Sequence, residues 1–256
     1  MYSMDNEREN LLVSSDNVIG RLYNIIETIR LEQTGNAETA LCKAFSLDEN
    51  DKASIFSNYA ELYRMALEGK KQIEKHSPKN IGKYLNTLNS VINGLSKIYF
   101  NASINVLNNG LDKFKSHFDV KLMTSLEYCA EYLSNMSDEA IIEDEKVKEL
   151  IDDIEDITST ILECNINKDL QQIVIFQLNN VRESLLKYKL FGAEGIKNSI
   201  STTLGTLILN RDKVNSDKDK GIIEKVFGII SKINTIISLG NNGTKLLGSI
   251  IQQITE

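Results

Sequence analysis

Residues Asn167 to Arg211 read NKDLQQIVIFQLNNVRESLLKYKLFGAEGIKNSISTTLGTLILNR, and the fold turns on how this stretch is read. Leu170, Ile173, Val174, Leu178, Val181, Leu185 and Tyr188 step by three and four residues, which gathers them on one face of a helix. Asn167 supplies the side-chain oxygen that caps such a helix. Gly192, just past Phe191, suits the left-handed conformation that closes one. Gly195 follows, and Ile196, Ile200, Leu204, Leu207 and Ile208 then set out a second helical face. The pattern predicts two helices meeting at Gly192 to Gly195 in a hairpin or a sharp kink. A glycine-rich ligand loop is the competing reading, but phosphate cradles of that kind follow a strand and no strand pattern precedes Gly192.

The same periodicity runs through the rest of the chain. Asp16 is placed to cap a helix carrying Val18, Ile19, Leu22, Ile25, Ile26 and Ile29. Ser46 and Glu49 have capping-box spacing ahead of Ile55, Tyr59, Leu62, Ala66 and Leu67. Ser77 followed by Pro78 reads as a cap with proline at the first helical position, ahead of Leu88, Val91 and Leu95. The pattern weakens over Asn101 to Gly110, which predicts a kink or a break into two helices. Asp119 then opens a segment with Leu122, Met123, Leu126, Cys129, Ala130 and Leu133. One proline in 256 residues agrees with long helices, because proline breaks helix interiors. The fold class is all-α: a multi-helix bundle with long helices and a C-terminal apolar helical hairpin.

Asn210 to Lys220, NRDKVNSDKDK, is short, polar and charged, and reads as a linker. Beyond it, Ile222, Val226, Ile229, Ile233 and Ile236 alternate steps of four and three, the seam of a coiled coil or of a helix laid into a groove. Gly240 to Gly243 reads as a turn, with Leu246, Leu247, Ile250, Ile251 and Ile254 on a short returning helix. The predicted organisation is an N-terminal helical arm over residues 1–44, a main bundle over 45–210 and the C-terminal hairpin over 221–256.

The net charge of -7 is unevenly held, since Asp138 to Asp156 has ten acids against Lys146 and Lys148, or 2 - 10 = -8. The remainder is close to neutral and shows no basic stripe, so nucleic-acid binding is not expected. The acidic run lacks the glycine of a calcium loop and reads as a solvated helix face rather than a metal site. Cys42, Cys129 and Cys164 are far apart and form no C-x-x-C pair, which argues against a disulfide framework or a zinc site. His76 and His117 have no triad or metal-pair spacing with another ligand or nucleophile. No catalytic, cofactor or metal residue is therefore assigned. Met1 to Asn10 is polar and charged, unlike a signal peptide, and the expected compartment is the cytoplasm.

Tyr188, Gly192, Ala193, Glu194, Gly195 and Ile196, as Y-x-x-x-G-A-E-G-I, resemble a segment that recurs in poorly characterised helical bacterial proteins, some in mobile or phage-defence loci. The likeness takes in Leu126 to Ala130 and the apolar C-terminus, over residues 45–256. It implies a bacterial defence or toxin-type context and supplies no catalytic residue.

The C-terminal segment is open to three readings: core packed on the body or on another copy, a helix that binds a partner or oligomerises, and a membrane-active helix. Glu224, Lys225, Lys232 and Asn234 interrupt the apolar run, and central charges each cost roughly 2.5 to 3.5 kcal/mol on the insertion scale, so membrane contact is not favoured. The expected function is a non-enzymatic protein-interaction or oligomerising component. The alternative is a latent membrane-active effector.

Overall fold

The computed structural model describes residues 13–100, 111–137 and 139–237. Ten α-helices and no strand occur among these residues. The chain divides into two compact units, Met1–Asp138 and Glu139–Glu256.

In the first unit the helices are α1 (Val18–Leu31), α2 (Ala37–Phe45), α3 (Lys52–His76), α4 (Ile81–Phe100), α5 (Leu111–His117) and α6 (Val120–Ser134). α1, α3, α4 and α6 form a ring in which each packs on the next and α6 closes back on α1. Ile19, Leu22, Ile26 and Ile29 of α1 are wholly buried in its centre. A Cβ on Gly69 of α3 would sit 2.6 Å from Ile19 Cγ1, so the two helices touch through the missing side chain. α1 is thus central to this unit rather than a separable arm.

Local capping differs from the sequence pattern at three places, each for a physical reason. Asn17, not Asp16, caps α1: its Oδ1 accepts from the amides of Ile19 and Gly20 at 3.0 and 2.9 Å. Asp16 is occupied elsewhere, accepting from Ser134 Oγ at 2.5 Å and Asn17 Nδ2 at 2.8 Å. Ser46 takes the left-handed conformation (φ 55, ψ 44) and closes α2, while Asp51 opens α3 by accepting from Ser54 N at 3.0 Å. Ser77 is likewise left-handed (φ 44, ψ 59) and closes α3. Its hydroxyl donates back to Glu74 O at 2.8 Å, and Pro78 lies in the following turn, accepting from Ile81 N at 3.0 Å. Asp119 caps α6 at Leu122 N, 2.7 Å, as its position in the sequence suggests. The kink or break expected at Asn101 to Gly110 lies outside the described residues.

The second unit holds α7 (Asp144–Glu163), α8 (Lys168–Leu186), α9 (Tyr188–Leu209), a 3-10 turn (Arg211–Lys213) and α10 (Asp217–Ile237). Short connections make sequential neighbours antiparallel. α10 closes the ring by packing on both α7 and α9, giving an up-and-down four-helix bundle. Leu150, Ile154 and Ile161 from α7 meet Val174 and Leu178 from α8, Ile196 from α9, and Ile223 and Ile233 from α10 in one continuous core. The division expected at 44/45 and at 210–221 is replaced by a single one at 138/139, because the α1 stripe completes the first core and the α10 stripe completes the second. The linker is also shorter than its composition suggests, since Asp217 to Lys220 already belong to α10. The turn and returning helix read at 240–256 lie outside the described residues.

Candidate functional site

The corner between α8 and α9 holds both glycines singled out from the sequence. Asn167 caps α8, its Oδ1 accepting from Asp169 N at 3.0 Å and Leu170 N at 3.2 Å. α8 ends at Lys187 (φ -95, ψ 16), a single helical turn follows, and the helical path is broken at Gly192 (φ 61, ψ -162), within the Gly192 to Gly195 junction read from the sequence. That break frees an amide, and Ala193 N donates to Glu139 Oε1 at 2.6 Å. Tyr188 Oη accepts from Ile142 N at 2.7 Å and donates to Ala140 O at 3.3 Å, fastening the segment that leads into α7 onto the corner. Gly195 is helical, and a Cβ there would run into Phe191 Cβ. The corner is thus packed with protein groups on both sides of the break.

The proposed seam of α10 divides into two sets. Ile222, Val226 and Ile233 are 3%, 1% and 0% exposed and belong to the core, with Ile223, Phe227, Ile230 and Ile237 beside them. Ile229 and Ile236 are half-buried at its edge. Ile229 faces an open groove of about 420 Å³ between α7 and α10, whose apolar floor it shares with Ile157. Asp153 and Asp156 form one wall and Lys225 and Lys232 the other, with Gly228 and Thr160 between. A Cβ on Gly228 would meet nothing within 4 Å.

Charge closes one end of this groove. Lys232 Nζ donates to Glu149 Oε1 at 2.8 Å and to Asp153 Oδ2 at 2.5 Å. Hydrogen bonds from Lys146 and Lys232 pull the Glu149 carboxyl down to about 2. The carboxylates of Asp153 and Glu149, in turn, raise Lys232. The acidic face of α7 is therefore not simply solvated: Arg182 of α8 also reaches Glu155 (2.7 Å) and Lys189 of α9 reaches Asp144 (3.1 Å).

At the opposite end of the bundle lies a residue that sequence reading passed over as linker. Asp219 is 2% exposed. Its Oδ2 accepts from Ser216 N at 2.9 Å, Ser216 Oγ at 2.8 Å and Asn215 N at 3.1 Å, and its Oδ1 accepts from Asn167 N at 3.0 Å. Ser216 Oγ caps Asp219 N at 3.1 Å in return, so Ser216 and Asp219 form a capping box. Burial pushes the Asp219 carboxyl up, but the hydrogen bonds from Asn167, Ser216 and Asn215 outweigh it and hold it low. The Ser-x-x-Asp spacing was the signal available in the sequence.

Reactive chemistry does not converge at any of these places. Among the described residues, no group of three or more His, Cys, Asp or Glu is arranged to hold a metal ion. All three cysteines are free, and burial pushes the Cys129 thiol up to about 12. Burial, helped by Lys97, lowers His117. Among the described residues no helix is long and apolar enough to cross a membrane. No protein-family model matches the chain, and neither curated proteins nor solved structures give a significant match.

Proposed function

We propose that this chain is a non-enzymatic helical interaction protein that associates with a second copy of itself through α10, as a component of a bacterial defence or toxin-type system. The single observation that supports the self-association is the α7–α10 groove. It has an apolar floor at Ile157 and Ile229, a glycine that leaves room at Gly228, and charges of both signs on its rim. Ile236, half-buried next along the same edge of α10, extends the apolar strip. Burial of such a strip drives association, and the rim charges fix its register. The bacterial setting rests on the Tyr188 to Ile196 resemblance alone.

Gly228→Phe tests the reading, since it fills the groove from a helical position with open space around it. Sedimentation equilibrium from micromolar to near-millimolar protein is expected to show wild-type association that weakens at least tenfold in the variant, or ~1.4 kcal/mol. The melting temperature is expected to hold. A wild-type chain that stays monomeric throughout, or a variant that associates equally well, overturns the proposal.

A further inference from the structure

Three of the five seam residues on α10, Ile222, Val226 and Ile233, are closed inside the bundle and cannot meet a second copy where they stand. We infer that α10 is a releasable helix, held on the bundle by a polar fastening at each end and able to leave it without losing its own helical cap. This goes beyond the groove reading: on the bundle α10 offers a second copy the α7–α10 groove, and released it offers its core face instead.

The connections set α10 apart. Lys187 to Gly192 make the corner between α8 and α9, and the four residues 164–167 separate α7 from α8. The seven residues 210–216 lead into α10 and form the longest connection in the described part of the unit; Lys213 of the 3-10 turn pairs with Asp169 of α8 at 3.1 Å, which anchors the start of this tether to the bundle. Its partners along the bundle are α7, α8 and α9, all joined to one another by the shorter turns.

The fastenings divide their work in an unusual way. At the start of α10 the two oxygens of Asp219 have separate tasks: Oδ2 serves the Ser216 capping box inside the α10 segment, and Oδ1 reaches across to Asn167 N at the head of α8. Breaking the second bond leaves the first intact, so a detached α10 keeps its cap. Towards the other end, Lys232 ties α10 to Glu149 and Asp153 of α7. Between these points the contact is the apolar face of Ile222, Ile223, Val226, Phe227, Ile230 and Ile233, which is non-directional and equally available to the same face of another copy. Helices joined to a bundle by side-chain contacts alone open as cooperative units, with free energies that range up to that of global unfolding.

Asp219→Asn separates the two tasks, because the amide oxygen can replace Oδ2 in the box while its NH₂ faces the Asn167 amide, donor to donor. Lys232→Met removes the second tie at nearly constant length. In the full chain, amide hydrogen exchange of the double variant is expected to rise about tenfold over residues 222–237 and less than about twofold over α7 and α8, with helical circular dichroism unchanged. Uniform acceleration of all four helices, or none, overturns the inference. The single variants, each expected to give a smaller rise confined to α10, replace the double variant if it fails to fold. Self-association of the same protein is measured in parallel: local release without tighter association leaves the latch standing and removes only the core-face contact, while Gly228→Phe tests the groove separately.

Discussion

Gly192→Ala is the sharpest perturbation of the second unit, because only the backbone is at issue. Gly192 stands at φ 61, ψ -162, a region almost closed to residues that carry a Cβ. Holding alanine there costs of order 1 to 3 kcal/mol. Valine, branched at Cβ, is expected to cost more. The alternative, relaxing the break into regular helix, would redirect the Ala193 amide away from Glu139 and carry Tyr188 off Ile142. For a unit of this size a loss of about 2 kcal/mol lowers the melting temperature by roughly 6 to 12 °C. Urea unfolding followed by circular dichroism measures the loss directly as a shift in midpoint at constant slope. Gly228→Ala is the internal control. That position is regular helix with open space, so alanine is expected to raise stability by up to ~1 kcal/mol. Opposite signs for the two alanines are the expected result. A Gly192→Ala protein within about 0.5 kcal/mol of wild type refutes the reasoning, because it means that the helix passes through this point unbroken.

Ile233→Ala removes a wholly buried side chain and is expected to cost roughly 2 to 5 kcal/mol, whereas half-buried Ile229→Ala should cost less than about half of that; chemical denaturation of the pair reads the difference between core and groove. Glu149, held at about 2 in the folded chain by Lys146 and Lys232, has a folded-state value below that of the unfolded chain. Its contribution is therefore complete at neutral pH and is lost as pH falls through the acid range towards 2. Lys232→Met should move the NMR-observed titration of Glu149 upward and flatten that part of the acid-unfolding curve. Under native conditions a thiol reagent should modify half-exposed Cys164 before buried Cys42 and Cys129, and mass spectrometry of the peptides gives the order directly.

Helical periodicity carried most of the fold. Leu170, Val174, Leu178, Val181 and Leu185 were legible as one face, and that face is the buried one. What the stripe does not contain is the identity of its partner. Nothing local distinguishes an α1 that hangs free from one inserted between α3 and α6, so the boundary at 138/139 was invisible. Caps failed where a long-range contact chose between adjacent candidates: Ser134, 118 residues away, draws Asp16 and leaves the cap to Asn17. Ser46 and Ser77 show a different ambiguity, since serine can end a helix as readily as begin one. Gly192 was legible as punctuation, and the break stands there. Of the features around α10, the Ser216–Asp219 box is written locally. The Asp219 bond to Asn167 spans 52 residues and the Lys232 bond to Glu149 spans 83, and no pattern of spacing announces either.

The closure of α1 against α6 also sets a timetable for the growing chain. Asn17 Nδ2 donates to Ala130 O at 3.1 Å, and Ser137 Oγ donates to Asp16 O, so the beginning of the first unit is tied to its very end. At about 5 to 20 residues per second, α1 emerges from the ribosome on the order of ten seconds before the helix that covers it. During that interval Ile19, Leu22, Ile26 and Ile29 have α2, α3 and α5 but not α6 for shelter, and a nascent chain at this stage presents them to chaperones or to neighbouring chains. Release of Ser137 from the exit tunnel ends the exposure, so a translational pause anywhere between the emergence of α1 and that of α6 prolongs the risk of aggregation.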